Sequence, residues 1–172
     1  LSLHDALPIL CRIALDKLKK TYEQDIQEKN IRIVFDNLTL SLMMEVNVEQ
    51  FSKVLAGILK NSMYALLKKS ETVTFSPEIF LGLKVNKDML EITIRDNGSG
   101  IDENIKDKIF APFFTTKTTG EAAGVGLYLC REIVQNHRGT IEVESKKGEY
   151  TQFLITIPVY QPKTITPPKE EE

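Results

Sequence analysis

The sequence predicts an α+β fold, a two-layer α/β sandwich whose mixed, largely antiparallel sheet is covered on one face by helices. Helical and strand-like stretches are grouped along the chain instead of alternating strictly, and four of the strand-like stretches form two neighbouring pairs joined by short polar turns. With 172 residues, 42% of them hydrophobic, the chain has the size of one domain. A doubly wound dinucleotide fold is disfavoured, because neither glycine cluster lies in a strand, Gly-x-Gly-x-x-Gly, helix unit.

Amphipathic spacing predicts the helices. In residues 10–30, apolar side chains recur at three- and four-residue steps. Residues 48–69 carry a longer apolar stripe, which must pack against another element. A helix is also predicted over residues 124–136 and a short one over residues 102–109.

Alternating apolar and polar residues predict five strands. They cover residues 31–35, 79–85, 89–95, 140–145 and 152–157. Polar turns at 86–88 and 146–148 predict that the last four strands form two hairpins. Residues 110–123 mix Pro, Thr and Gly, and we expect a mobile loop there.

Composition defines the domain limits. Residues 1–9 have no clear period and are expected to be a remnant outside the domain, which then covers residues 10–158. Residues 159–172 are rich in Pro, Lys and Glu, so we expect a disordered tail.

Charge and hydropathy narrow the function classes. The net charge of -2 gives no reason to expect nucleic acid or an anionic membrane as partner. No apolar run approaches the ~20 residues that span a bilayer, and the first residues lack the basic start and long apolar middle expected of a signal peptide. Cys11 and Cys130 lack metal-ligand spacing, so buried free thiols in a reducing, cytoplasmic compartment are expected. Membrane anchoring of a longer protein stays open.

Residues 96–101 are the first candidate for chemistry. They follow an apolar strand directly, and two glycines flank Ser99. Gly98 and Gly100 allow close approach to the backbone, and the Asp96 carboxylate can accept a hydrogen bond from an exocyclic amine such as that of adenine. A simple hairpin turn is the alternative for this segment taken alone.

The second candidate is a glycine-bearing loop, residues 120–127, that runs into a helix. Backbone N–H groups at a helix start, with the positive end of its dipole, favour phosphate. Before it, residues 113–117 contain two aromatics expected to anchor the loop, two hydroxyls and the Lys117 cation, which can fold over a polyphosphate. The alternative is an ordinary surface loop with a core Phe pair.

Asn61 is the third candidate. Helical spacing places it beside Val54 and Ala65 on the flank of the apolar stripe. Its neutral oxygen suits Mg²⁺, which prefers oxygen ligands and is commonly shared between protein, phosphates and water. A plain helix-flank role is the alternative.

In this order, the motifs resemble the ATP-binding domain shared by histidine kinases, gyrase, Hsp90 chaperones and MutL. Residues 54–62 are similar to that family's N box, 96–101 to its G1 box, 109–117 to its F box and 124–127 to its G2 box. Residues 108–117 and 137–145 resemble bacterial sensor histidine kinases in particular.

The resemblance implies ATP and Mg²⁺ as cofactors, with Asn61 as the metal ligand and Lys117 as the catalytic lid residue. It implies an ATP site formed by Asn61, Ala65, Asp96, Gly98, Gly100, Ile101, Thr115, Thr116, Lys117, Gly124, Val125, Gly126, Leu127 and Thr151. The implied partners are a histidine-bearing dimerisation domain, missing from this chain, and through it a response regulator.

Two departures from the family pattern matter. The first N-box asparagine of many histidine kinases is Gly57 here, and the alanine that commonly follows the second is Ser62. Gly57 removes a polar neighbour of the metal. In the ATPase branches this position usually carries the glutamate that activates water, so its absence argues against an efficient ATPase.

The phosphoryl acceptor is expected on another domain. His4 and His137 are the histidines of the chain. The Pro8 spacing after His4 does not match an H box, and His137 is expected to have a structural cap or surface role. A serine kinase of the anti-sigma or dehydrogenase-kinase type and a non-catalytic ATP-sensing module remain alternatives.

Overall fold

The computed structural model describes residues 6–36, 46–117 and 124–159. Its elements, in chain order, are α1 Ala6–Thr21, α2 Glu23–Lys29, β1 Arg32–Asp36, α3 Val48–Ser70, β2 Glu78–Asn86, β3 Met89–Asp96, α4 Glu103–Lys106, α5 Gly126–Asn136, β4 Thr140–Lys146 and β5 Tyr150–Pro158. Each predicted strand is found within about two residues of its expected limits.

The sheet has five strands in the order β1-β2-β3-β5-β4. β1 pairs parallel with β2, whereas the other neighbours are antiparallel. Both predicted hairpins are present, since Asn86 pairs with Met89 and Lys146 pairs with Tyr150. The prediction of a mixed, largely antiparallel sheet is confirmed.

Helix α3 forms the centre of the core. Most of its apolar stripe is buried, and α1 and α5 pack beside it. Burial alternates along β3 and β5, so one face of the sheet meets the helices and the other meets solvent. The two-layer architecture follows from these two patterns. The buried members of the α3 stripe include Phe51, Val54, Leu55, Ile58, Leu59, Met63 and Leu66.

The N-terminal limit differs from the prediction. Helix α1 begins at Ala6, and Leu7 is a core residue with 1% of its surface exposed. Pro8 in the first helical turn lacks an N–H that would have no intrahelical partner anyway, so it does not prevent the helix from starting before it. The helix predicted over residues 10–30 is also two helices, which meet at Tyr22. Residues 1–5 and 160–172 lie outside the described parts of the chain.

Both cysteines are buried and free, as predicted. Burial raises the pKa of the Cys11 thiol to about 12 and that of Cys130 to about 11, so both thiols are protonated at neutral pH. Among the described helices, none has the length and apolarity needed to cross a membrane.

His137 joins the end of α5 to the start of α3. The backbone N–H of Asn47 donates to His137 Nε2 over 2.8 Å, so Nδ1 carries the proton and donates to Ile133 O at 2.7 Å. The ring also meets Phe51 edge-on, with centroids 5.7 Å apart. This neutral imidazole therefore has the structural role that the sequence predicts.

We expect His137→Ala to lower the free energy of unfolding by about 1–2 kcal/mol, because the hydrogen bonds with Asn47 N–H and Ile133 O and an aromatic contact are all lost. Urea denaturation monitored by circular dichroism measures the change. Gln135→Ala, at an exposed position of the same helix, is the control and should stay within about 0.5 kcal/mol. Equal effects of the two substitutions would contradict the bridging role.

Candidate functional site

A cavity of about 550 Å³ opens between α3, the loop after β3, the start of α5 and the start of β5. Every residue predicted to contact nucleotide except Gly98 lines it. The lining includes Asn61, Ala65, Asp96, Gly100, Ile101, Thr115, Thr116, Lys117, Gly124, Val125, Gly126, Leu127 and Thr151. The fold thus brings motifs that are far apart in sequence to one site.

Asp96 ends β3 inside the protein and is 2% exposed. One carboxylate oxygen accepts a hydrogen bond from the Gly98 N–H at 3.0 Å. Thr151, 4% exposed, lies directly opposite Asp96 in the pairing of β3 with β5. The predicted pair of base-contacting residues is therefore a cross-strand pair at one end of the sheet.

Burial raises the pKa of the Asp96 carboxyl from its ordinary value of 3.8 to about 6. The Gly98 N–H, Ser62 and the nearby Lys69 and Arg95 cations oppose this effect only partly. Ser62 Oγ lies close enough to favour the charged carboxylate, yet this buried hydroxyl satisfies no full hydrogen-bond geometry with any described residue. At neutral pH the site holds a buried, ionised and strongly accepting carboxylate.

The loop after β3 leads into α4 and is not a hairpin turn, so that alternative is wrong. Asn97 anchors the loop to β2, because its Oδ1 accepts from Glu78 N and its Nδ2 donates to Ser76 O, each over 2.8 Å. Gly98 packs so closely that a Cβ atom would lie 2.7 Å from Ala65. Gly98 therefore does not line the cavity itself but packs against Ala65, which does.

Gly100 is the most constrained residue of this loop. Its φ is +65°, and a Cβ atom would lie 2.2 Å from Lys146 O. The neighbouring Ile101 N–H donates to Ser145 Oγ at 2.8 Å, which ties the loop to β4. Only glycine fits this close approach of two backbone segments.

The opposite end of the cavity is formed by the start of α5. Gly126 is its first residue, and no atom lies within 4 Å of a Cβ built there, so an incoming group can reach this backbone. Val125 caps the helix without a side-chain hydrogen bond. Uncapped N–H groups at a helix start favour an anion. Residues 118–123, the rest of the predicted lid, lie outside the described residues.

The aromatics of the F box differ from the prediction. Phe113, expected to anchor the loop, is 79% exposed, because its left-handed φ of 65° turns the chain at this point. Phe114 does pack against the core and lines the cavity. The second anchor is Phe110, which contacts Phe153 edge-on with centroids 6.3 Å apart.

Asn61 lies on the cavity wall, where its Oδ1 accepts a hydrogen bond from Lys117 Nζ at 3.3 Å. In the described parts of the chain, no group of three or more His, Cys, Asp or Glu side chains could hold a metal alone. One neutral oxygen suits a Mg²⁺ ion that takes its other ligands from phosphates and water. The site fits a metal that arrives with a nucleotide.

Sequence reasoning missed several lining residues. Tyr64 and Lys68 follow Asn61 at three and seven residues, so their helical spacing could have identified them. Lys60, Ser99, Asp102, Ile105, Ile109, Phe114, Lys147 and Phe153 complete the newly found set. Gly57 also lines the cavity, and a Cβ atom there would lie 3.2 Å from Cys130 Sγ.

We expect Gly100→Ala to destabilise the chain by about 2 kcal/mol or more, because it adds a Cβ at a positive φ against a carbonyl oxygen. Gly126→Ala, which meets open space at a helix start, should leave stability unchanged or raise it by up to about 1 kcal/mol. Thermal unfolding of both variants tests the difference. Similar melting temperatures for the two would contradict the tight approach at Gly100.

The Asp96 carboxyl makes stability depend on pH. Since its folded pKa is raised to about 6, the folded state binds the extra proton, and stability falls as pH rises from about 4 to about 6. We expect Asp96→Asn to exceed the wild type by up to about 3 kcal/mol above this window and to match it below. Urea unfolding from about pH 3 to pH 8 measures the difference. A pH-independent difference would contradict the raised pKa.

Comparison with known proteins agrees with this geometry. Residues 47–161 match the model of a family described as histidine kinase-, DNA gyrase B- and HSP90-like ATPase. Cyanobacterial phytochrome A of Nostoc sp. is 35% identical over 149 residues, which cover 85% of this chain and 18% of the relative. Sensor histidine kinase AtsR of Burkholderia thailandensis is 33% identical over 149 residues, 81% of this chain and 24% of that protein.

Solved structures have the same fold. The catalytic domain of histidine kinase ThkA has a TM-score of 0.70 and 28% identity, and the match covers 88% of this chain and 91% of that one. Mycobacterial sensor histidine kinase MprB, at 15% identity, has a TM-score of 0.72 over 91% of this chain and 96% of that one and supports the fold alone. The chain spans about a fifth to a quarter of the two relatives above.

Proposed function

Because the chain belongs to the family of histidine kinase-, DNA gyrase B- and HSP90-like ATPases, we propose that it binds Mg-ATP in this cavity. It donates the γ-phosphoryl group to a histidine on a dimerisation domain carried elsewhere, which passes it to a response regulator. One observation carries the proposal: a buried carboxylate and an open helix start lie in the same cavity, with the expected residues between them.

The Asp96 end is suited to adenine. An ionised carboxylate accepts a hydrogen bond from the exocyclic amine of adenine, whereas guanine presents an oxygen at that position and is repelled. Thr151, opposite Asp96, supplies a hydroxyl next to the base. Because Asp96 is buried, water cannot replace the hydrogen-bond donor that a wrong base lacks, and this strengthens the selectivity for adenine over guanine.

The other end is suited to a triphosphate. Among the described residues that line the cavity are four lysines, Lys60, Lys68, Lys117 and Lys147, and two aspartates. Asp102 is paired with Lys147 at 2.8 Å, and Asp96 lies buried at the base end. The cavity is thus locally cationic although the chain has a net charge of -2. Mg²⁺ bound to Asn61 and the phosphates would neutralise the developing charge of phosphoryl transfer.

Transfer to a protein is favoured over hydrolysis. The described residues that line the cavity include no glutamate, and position 57, where a water-activating carboxylate would be expected, is glycine. The acceptor is not His137, because both of its ring nitrogens are engaged in structural hydrogen bonds. A histidine on another domain therefore fits best. A serine kinase and an ATP-sensing module would have the same pocket. The phosphorylated product, or its absence, distinguishes them from a histidine kinase.

The test incubates labelled Mg-ATP with the chain and a purified histidine-kinase dimerisation domain. We expect acid-labile, base-stable phosphate on the dimerisation domain and little on the chain. Asp96→Asn should weaken ATP binding about tenfold or more, because a charge-assisted hydrogen bond is lost. Asp107→Asn, at an exposed position outside the cavity, is the matched control and should bind as the wild type does.

Four results would contradict the proposal or a part of it. Stoichiometric phosphohistidine on the chain alone would mean an acceptor within it. Acid-stable phosphate on the target would favour a serine kinase, and tight ATP binding without transfer to any dimerisation domain would favour a sensing module. Unchanged affinity in Asp96→Asn would overturn the assignment of the adenine end.

A further inference from the structure

We propose that Tyr64 is a positioning residue that holds the Lys117 ammonium against Asn61, at the point where the proposed function requires Mg²⁺. The inference rests on that function for the metal. It assigns Tyr64 a role in setting how strongly nucleotide binding depends on Mg²⁺.

Contacts with Asn61, Tyr64 and Thr115 help to position Lys117. Its Nζ donates to Asn61 Oδ1 at 3.3 Å and lies 4.5 Å from the centroid of the Tyr64 ring. Its backbone N–H donates to Thr115 Oγ1 at 3.1 Å, which shapes the chain just before the side chain. Asn61 and Tyr64 are three residues apart on α3 and therefore share one face of the helix. All four residues line the cavity.

The Lys117 ammonium occupies the position beside Asn61 that a metal ion would take. It is a cation, it is bound by the carboxamide oxygen, and it lies in the cavity at the triphosphate end. A Mg²⁺ ion on the same oxygen would lie a few ångströms from Nζ, where two positive charges repel strongly in a site partly shielded from water. Lys117 and Mg²⁺ therefore compete for Asn61, and metal binding requires the lysine to move.

Tyr64 biases this competition toward the lysine. The negative face of an aromatic ring attracts a cation within about 6 Å, and Lys117 is well inside that range. Lys68 approaches the same ring at 6.0 Å, so a second cation remains near Tyr64 when Lys117 moves away. The ring thus makes the lysine position favourable without contacting the metal itself.

Tyr64 should affect the binding of metal-free ATP and the binding of Mg-ATP in opposite directions. ATP without metal benefits from a lysine held near Asn61, because the ammonium neutralises phosphate charge in place of Mg²⁺. Mg-ATP must displace that lysine first. The ratio of the dissociation constant of ATP in chelator to that in saturating Mg²⁺ measures the balance, and a residue with a merely structural role would change both constants alike.

The experiment measures this ratio by calorimetric titration for the wild type, Tyr64→Leu and Tyr64→Phe. We expect Tyr64→Leu to raise the ratio about two- to fivefold, since a cation–π contact of that strength is lost. Tyr64→Phe keeps the aromatic face and should retain the wild-type ratio. Proton NMR of the Lys117 side chain provides a readout without nucleotide: the ring should shift its methylene signals upfield in the wild type and Tyr64→Phe, but not in Tyr64→Leu.

The outcomes separate this inference from the proposed function. Wild-type binding of Mg-ATP with equal ratios in all three proteins would overturn the role of Tyr64 alone. An unshifted Lys117 signal in the wild type would also overturn it. Failure of the wild type to bind ATP with or without Mg²⁺ would instead overturn the proposed function on which the inference depends.

Discussion

The burial of the Asp96 carboxylate is the constraint on which the loop after β3 and the cavity depend. Taking a charge out of water costs several kcal/mol unless other groups compensate, and here one backbone N–H and two nearby cations compensate only in part. The loop after β3 is therefore held by other means: Asn97 binds the edge of β2, and Gly100 packs against the carbonyl of Lys146. Packing and hydrogen bonds in the surrounding loop thus offset the unfavourable free energy of burying the Asp96 carboxylate.

Helix α3 connects this constraint to the rest of the molecule. One face carries the apolar stripe that forms the core, and the other presents Asn61, Tyr64, Ala65 and Lys68 to the cavity. Since core packing fixes the rotation of the helix, it also fixes the positions of these side chains. His137 adds a further restraint where α3 begins. The side chains that α3 contributes to the cavity are held in defined positions because the packed helix has little freedom to rotate.

Much of the fold and most of the cavity lining could be predicted from sequence, because both depend on local patterns. Strand alternation located β3 and β5, and the glycine positions located the loops. Two features escaped prediction because they depend on tertiary contacts. Leu7 is buried although its segment shows no period of its own, and Phe113 is exposed although a phenylalanine pair favours the core. The contact between Lys117 and Tyr64 likewise joins segments whose distance no spacing rule gives.

The close approach of Gly57 to Cys130 couples these two positions on the cavity wall. A side chain at 57 would begin 3.2 Å from the Cys130 sulfur, closer than ordinary packing, on the wall of the cavity. An asparagine or glutamate at position 57 would require the Cys130 side chain to move by a few tenths of an ångström. The room for a water-activating carboxylate at position 57 is therefore set by how far Cys130, on helix α5, can shift.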